Sequence, residues 1–114
     1  MKRTFENMSI EEKEKYLAPL CLEFLQNNGG TATRNEIREA LCQMDDDVAE
    51  YAKKIFISSN TSKPYSKFKF RANFAIKNLA MAGYLNAPRY GTEVTITDKG
   101  LAQDLKKLDV DKDI

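Results

Sequence analysis

Apolar residues recur at helical spacing in the segment 66–82 and predict an amphipathic helix with one buried face. The apolar positions are Phe68, Ala72, Ala75, Ile76, Leu79 and Ala82. Gly83 follows them directly, where a glycine ends a helix at low conformational cost. The period then changes to two, because Val94 and Ile96 alternate with threonines as in a half-buried strand.

This strand and the residues 84–87 before it predict a two-stranded hairpin whose tip is Pro88-Arg89-Tyr90-Gly91. A helix followed directly by a hairpin is typical of a winged helix-turn-helix domain, in which helix and wing lie side by side on one surface. The predicted fold class is therefore mainly α with a small β-hairpin, arranged as a winged helix-turn-helix.

Capping boxes predict where two earlier helices begin. Ser9 with Glu12, and Thr33 with Glu36, have the spacing at which the two side chains satisfy each other's free backbone N–H groups. Apolar residues follow each box at helical spacing, namely Leu17, Leu20, Cys21, Phe24 and Leu25 in the first helix and Ile37, Ala40 and Leu41 in the second.

Acidic residues predict the starts of two further helices, since a carboxylate is favourable at a helix N-terminus. The run Asp45-Asp46-Asp47 precedes a predicted helix over residues 48–57, and Asp98 precedes one over residues 99–108. We expect one domain over residues 9–108, a flexible leader over 1–8, and a frayed tail or the start of a linker over 109–114.

Composition places the chain among globular proteins of a reducing compartment. No apolar run approaches the ~18 residues that a membrane span requires, and the N-terminus lacks the apolar core of a secretory signal. Cys21 and Cys42 lie in helical patterns without metal-ligand spacing, so we interpret them as structural thiols. A cytoplasmic location without membrane contact is expected.

The charge is distributed unevenly, although the net charge is only +1. Residues 51–92 contain eight basic residues and no acidic residue, whereas the other 72 residues carry ten basic and seventeen acidic groups. Such an asymmetry attracts a polyanion to one face of the molecule and repels it from the rest. Double-stranded DNA is therefore the expected partner.

The central helix carries the candidate contacts. Lys69, Asn73 and Lys77 recur every four residues and form a polar stripe, and Lys67 and Arg71 lie on a second polar edge. Lysine and arginine bind phosphates or guanine edges, and asparagine binds adenine in the major groove. The candidate DNA-binding residues are Lys63, Lys67, Lys69, Asn73, Lys77, Arg89 and Tyr90. The alternative interpretation of the stripe is an ordinary solvated helix face.

Phe70, Phe74 and Met81 lie on the same helix, on the side away from Leu79. Our favoured interpretation is that the predicted helix over residues 48–57 covers them, because two uncovered phenylalanines are unusual on a monomer. The alternative is that they form a homodimer interface.

Catalysis is not expected from these residues. The chain has no histidine, no glycine-rich phosphate loop and no Ser–His or Cys–His pair. Three adjacent aspartates point in different directions and do not converge on a metal without partners from elsewhere. The sequence therefore predicts no catalytic residues, no metal site and no cofactor.

Several strings of the chain together resemble the N-terminal winged-helix domain of Mrr-type restriction proteins. They are Leu17-Ala18-Pro19-Leu20, Gly29-Gly30-Thr31-Ala32-Thr33-Arg34, Ala82-Gly83-Tyr84-Leu85, Pro88-Arg89-Tyr90-Gly91 and Ile96-Thr97-Asp98-Lys99-Gly100. The resemblance covers most of the chain and implies a DNA-binding domain of a prokaryotic restriction system, which directs a separate nuclease domain or subunit to its target. The nuclease motif of that family is absent from this sequence.

Two functional hypotheses follow. The first is a DNA-binding winged-helix module without its own nuclease. The second is a protein-interaction or dimerisation module that uses Phe70, Phe74 and Met81, with a basic face that only keeps the protein soluble.

Overall fold

The computed structural model describes residues 4–88 and 93–114, and these form a mainly helical domain with a small antiparallel sheet. The helices are α1 (Ile10–Asn27), α2 (Arg34–Met44), α3 (Asp46–Ala52), α4 (Lys67–Met81), α5 (Asp98–Ala102) and α6 (Val110–Asp113). The strands are β1 (Thr31–Thr33), β2 (Phe56–Ile57), β3 (Pro64–Tyr65), β4 (Leu85–Asn86) and β5 (Glu93–Ile96). The predicted fold class, mainly α with a small β-hairpin, is confirmed at this level.

Helix α4 packs along α1, and this contact forms the centre of the core. The face of α4 predicted to be apolar is buried, with Ala72, Ala75 and Leu79 fully enclosed. Leu17 and Leu22 of α1 are likewise fully enclosed. Two alanines on the α4 face let the helix backbones approach closely, so the burial is achieved with little side-chain volume.

The sheet has the strand order β1-β5-β4 and is antiparallel throughout. Leu85 pairs with Ile96 in the hairpin, and Thr31 pairs with Thr95 on the other side of β5. Val94 and Ile96 are buried while Thr95 is exposed, which confirms the predicted alternation along this strand. The sheet therefore closes one end of the core and fixes the direction in which the chain leaves α4.

Three of the predicted helix starts are confirmed, whereas the N-cap of α5 is Thr97 and not the predicted Asp98. Ser9 and Thr33 each form a complete capping box. Asp45 accepts hydrogen bonds from the backbone N–H groups of Asp47 and Val48 at 2.9 and 3.1 Å, so the acidic run caps α3 as predicted. The Tyr16 hydroxyl also donates to Asp45, and this hydrogen bond together with burial raises the pKa of Tyr16 to about 12.

Two predicted helices were too long. Helix α3 ends at Ala52, and the chain then forms a second hairpin in which Phe56 pairs with Tyr65. β-branched and aromatic residues after Ala52 favour extended structure there, and Pro64 lacks the N–H that a helix needs. Helix α5 ends at Ala102, where Gln26 of α1 donates to the carbonyl oxygens of Gly100 and of the C-cap residue Gln103 at 2.8 and 2.9 Å.

The termini pack onto the domain more closely than expected. Phe5 is 1% exposed and its backbone N–H donates to Asp47 at 2.6 Å, so residues 4–8 are not the loose leader that was predicted. Residues 110–113 form the short helix α6 instead of a frayed tail, and Asp111 accepts a hydrogen bond from Lys15 at 2.8 Å. Both segments cover α1 and thereby extend its contacts beyond α4 and the sheet.

Gly100 provides a test of how tightly α5 sits on the hairpin. A Cβ atom at this position would lie 2.4 Å from the carbonyl oxygen of Tyr84 and 2.6 Å from Ile96 Cγ1. We therefore expect Gly100→Ala to lower the free energy of unfolding by about 2–3 kcal/mol, although alanine favours helices. Gly29→Ala is the matched control, because a Cβ atom there meets nothing within 4 Å and only the positive φ of 78° is strained.

Gly29→Ala should lower the free energy of unfolding by about 1 kcal/mol, which is the usual penalty for an alanine in the left-handed region of backbone conformation. Urea unfolding followed by circular dichroism measures both changes. Equal losses in the two variants would show that α5 is not seated on the hairpin as described.

Candidate nucleic-acid interface

Helix α4 directs its polar residues to two different flanks. At 100° per residue, Lys69 and Asn73 project on the side next to α2, with Lys77 beside them. Lys67 projects to the opposite flank, where its ammonium lies 4.1 Å from the centroid of the Phe56 ring. The candidate residues of α4 therefore do not form a single stripe, and only three of them face α2.

An open groove of about 690 Å³ runs between α2, α4 and the end of β4. Its lining residues are Arg34, Asn73, Lys77, Ala80, Met81 and Ala87. We call it the basic groove. Arg38 lies at its edge and donates to Asn73 Oδ1 at 3.1 Å. Arg34 donates to the carbonyl oxygen of Pro88 at 2.9 Å, which ties the start of α2 to the hairpin.

The electrostatics of the basic groove favour an anion. Burial lowers the pKa of Arg38, and the neighbouring Arg34 lowers it further. The side-chain acceptors for Arg38 are the neutral amides of Asn73 and Asn35. In the part of the chain that the structure describes, no carboxylate pairs with Arg38, Lys69 or Lys77. Negative charge entering the groove would relieve this like-charge repulsion.

Three other cations of the acid-free segment 51–92 are already neutralised. Lys53 pairs with Glu50 at 3.1 Å and Lys54 pairs with Glu6. Arg71 pairs with Glu14 of α1, and both side chains are about 15% exposed. Arg71 therefore joins α4 to α1 and is not available to a partner on the surface.

Lys63 does not line the basic groove. Lys63 is exposed in the connection between β2 and β3. Arg89 and Tyr90, predicted at the tip of the hairpin, lie outside the described residues. Their contact with DNA and the winged-helix assignment, which depends on the hairpin tip, stay predictions.

The favoured interpretation of Phe70, Phe74 and Met81 was wrong. Their exposed fractions are 48%, 42% and 76%, because α3 ends at Ala52 and does not cover them. The hairpin β2–β3 provides only an edge contact, in which the Tyr65 and Phe70 ring centroids are 6.0 Å apart. The outward side of α4 is therefore an apolar stripe flanked by cations.

The sequence analysis missed Arg34 and Arg38 as candidates. They lie one turn apart at i and i+4 on α2, a spacing that places both side chains on one face of a helix. The spacing of two arginines by four residues in α2 was the sequence signal that predicts them as a pair.

Comparison with known proteins identifies the family. The sequence model of the Mrr N-terminal domain matches residues 14–105, which is most of the chain. The chain belongs to the Mrr N-terminal domain family. The matched region runs from α1 through α5, so both the basic groove and the apolar stripe lie within the family domain. No curated protein and no solved structure matches the sequence.

The family assignment confirms the predicted resemblance and makes the chain an Mrr-like domain of a restriction system. The family domain is an N-terminal domain and not a catalytic one. The part of the chain that the structure describes holds no cluster of three or more metal-binding side chains and no helix that is long and apolar enough to cross a bilayer.

The pairing of Arg71 with Glu14 predicts a large effect on stability. Glu14→Gln keeps the shape of the side chain but leaves the poorly exposed guanidinium of Arg71 without its counter-charge. We expect the free energy of unfolding to fall by about 2 kcal/mol, less than for a fully buried pair because some solvent reaches both groups.

Glu50→Gln is the matched control, since its pair with Lys53 is more than 70% exposed on both sides. The control should change the free energy of unfolding by less than about 0.5 kcal/mol. Chemical unfolding of both variants in one buffer tests the difference, and a loss in the control as large as in Glu14→Gln would contradict the structural role of Arg71.

Proposed function

We propose that this Mrr N-terminal domain is a winged-helix DNA-binding module in which α4 is the recognition helix. The order of elements supports the proposal. Helices α2 and α4 lie between β1 and the hairpin β4–β5, and β1 pairs with β5 in the same sheet. In this arrangement the hairpin is the wing, and the basic groove lies between the wing and the recognition helix.

The observation that carries the proposal is the set of cations without a carboxylate partner in the basic groove and beside it. Arg38, Lys69 and Lys77 come from two helices and flank Asn73. A surface that only keeps a protein soluble does not need cations concentrated on one side with amides as their neighbours. Phosphate oxygens supply the missing negative charge and accept several hydrogen bonds at once.

Asn73 is suited to contact a base edge. Arg38 donates to its Oδ1 atom, which holds the carboxamide in place and leaves the Nδ2 donors directed elsewhere. An amide fixed in this way contacts a base in the major groove with little loss of side-chain entropy. Arg38 thus serves the proposed interface twice, as a cation and as the group that orients Asn73.

The domain would direct a nuclease domain or subunit to DNA in the cytoplasm, as its membership of a restriction-system family supports. The module itself needs no cofactor for this role. Lys63, Arg89 and Tyr90 are proposed as further contacts to the phosphate backbone.

Salt dependence tests DNA binding directly. With about six phosphate contacts, a plot of log K against log salt concentration should have a slope near −5. Lys69→Gln/Lys77→Gln should reduce the magnitude of that slope by about 2, since each neutralised cation releases about one counterion fewer. Fluorescence anisotropy of a labelled duplex at several salt concentrations measures both values.

Lys53→Gln is the control, because Lys53 already pairs with Glu50 and lies outside the basic groove. Its slope should equal that of the wild type. No binding at low salt, or a double variant that binds like the wild type, would exclude the basic groove as a DNA-binding surface.

A second candidate function is self-association through the apolar stripe, which the exposure of Phe70, Phe74 and Met81 favours. Lysines flank this stripe, since the ammonium of Lys77 lies 5.8 Å from the Phe74 ring centroid. Two copies joined here would bring like charges together. Dimerisation should therefore strengthen as salt concentration rises, whereas DNA binding weakens.

Sedimentation velocity over a range of protein and salt concentrations tests this second candidate. The dimer should dissociate in Phe70→Ser/Phe74→Ser, whose changed side chains are both more than 40% exposed, so that the fold is retained. A wild-type protein that stays monomeric at high concentration and high salt would rule out the dimer.

A further inference from the structure

A second pocket lies on the flank of α4 that faces away from the basic groove. It has a volume of about 320 Å³ and opens between α1, α3, β3 and the first turns of α4. Its lining residues are Ile10, Lys13, Tyr51, Tyr65, Lys67, Phe70 and Arg71. We call it the Lys13 pocket. Three of its side chains are cations, and none of its lining residues among 4–88 and 93–114 is a carboxylate.

Lys13 is the unusual residue of this pocket. It is only 8% exposed, and its ammonium lies 4.7 Å from the centroid of the Tyr51 ring. No hydrogen-bond acceptor or carboxylate pairs with this ammonium among residues 4–88 and 93–114. The stem of Lys13 is therefore buried, while its ammonium lies against the aromatic face and is still reached by solvent.

The charges around Lys13 leave a positive excess. Burial lowers the pKa of Lys13, Arg71 and Lys67 lower it further, and Glu6 opposes them. Glu6 is already paired with Lys54, and Glu14 on α1 is paired with Arg71. Glu6 therefore offsets only part of the positive charge of Lys13 and Lys67, because it is shared with Lys54.

The N-terminus of α4 adds to this field. Lys67 is the first residue of the helix, and Phe70, one turn later, also lines the pocket. Within the described chain, Ser66 forms no side-chain cap and the first turn contains no acidic residue. The first turn of α4 therefore places the positive end of the helix dipole at the border of the pocket without a side-chain cap.

We infer that the Lys13 pocket binds a phosphate group, held by the ammonium groups of Lys13 and Lys67 with the hydroxyls of Tyr51 and Tyr65 as further donors. Neither hydroxyl has a hydrogen-bond partner in the described part of the chain. A phosphate carries up to two negative charges and several acceptor oxygens. A carboxylate, with one charge and two oxygens, would leave one of the two ammonium groups without compensation.

Two sources supply this chemistry, a phosphate of a nucleic-acid backbone or a free phosphate. The first source would deepen the proposed DNA-binding function, since it places a backbone contact on the second flank of α4. The second is independent of that function. The inference therefore does not fail if the basic groove proves not to bind DNA.

Titration with inorganic phosphate, followed by NMR of ¹³C-labelled protein, tests the pocket. Ionic strength is kept constant with sodium chloride. We expect saturable shifts of the Lys13 side chain and of the Tyr51 and Tyr65 rings. The pKa of Lys13 should rise when phosphate is bound, because an anion stabilises the charged ammonium.

Lys13→Met keeps the packing of the buried stem and removes the charge. It should weaken phosphate binding about tenfold or more, as expected for the loss of one charge-assisted hydrogen bond. Lys106→Met, an exposed residue outside the pocket, is the control and should bind like the wild type. If Lys13→Met does not fold, Lys67→Met makes the same test at an exposed position.

Shifts that do not saturate, shifts of equal size with chloride alone, or unchanged phosphate binding in the folded pocket variants would overturn the inference. A short duplex then distinguishes the sources. A duplex that shifts the same Lys13 signals and displaces inorganic phosphate identifies a backbone phosphate, and a duplex that leaves the bound phosphate in place identifies a free one.

Discussion

The contact between α1 and α4 is the constraint on which the rest of the structure depends. It buries Ala72, Ala75 and Leu79 of α4 against the enclosed leucines of α1, and this fixes the rotation of α4 about its own axis. Once that rotation is set, the basic groove, the apolar stripe and the Lys13 pocket follow around the rest of the helix. The ion pair of Arg71 with Glu14 secures the same interface at its edge.

The two flanks of α4 differ in how their cations are supported. On the side of α2, Arg38 holds Asn73 in a groove that is open to a large partner. On the side of α1, a lysine with a buried stem borders a smaller pocket with aromatic walls. The first proposed site is open to a macromolecule, whereas the second has room for a single anionic group. The two proposals therefore assign different side chains of one helix to two kinds of anion.

Local signals in the sequence predicted most of the fold. The capping boxes at Ser9 and Thr33, the period of α4 and the alternation along β5 depend on neighbours within a few residues, so pattern analysis finds them. The end of α3 was missed although the β-branched and aromatic residues after Ala52 favour extended structure locally. Gln26 contacts the end of α5 from 77 residues away, and no local pattern carries that information.

The candidate site was predicted less completely for the same reason. Lys69, Asn73 and Lys77 share a period on one helix and were identified together. Arg38 lies beside them only because α2 packs against α4 in the folded domain. Lys67 lies apart from them, since it faces the hairpin β2–β3. A count of charges along the sequence also overstates the number of unpaired cations on the surface. It does not show that Lys54 and Arg71 already have carboxylate partners on other elements.

The distance along the chain between α1 and α4 has a consequence for synthesis in the cell. About forty residues separate the end of α1 from the start of α4, so a growing polypeptide produces the apolar face of α1 long before its main partner exists. Leu17 and Leu22 must then stay exposed, or in temporary contacts, until Leu79 has left the ribosome tunnel. Nascent chains interrupted before that point would be the form of this domain most prone to aggregate and most dependent on chaperones.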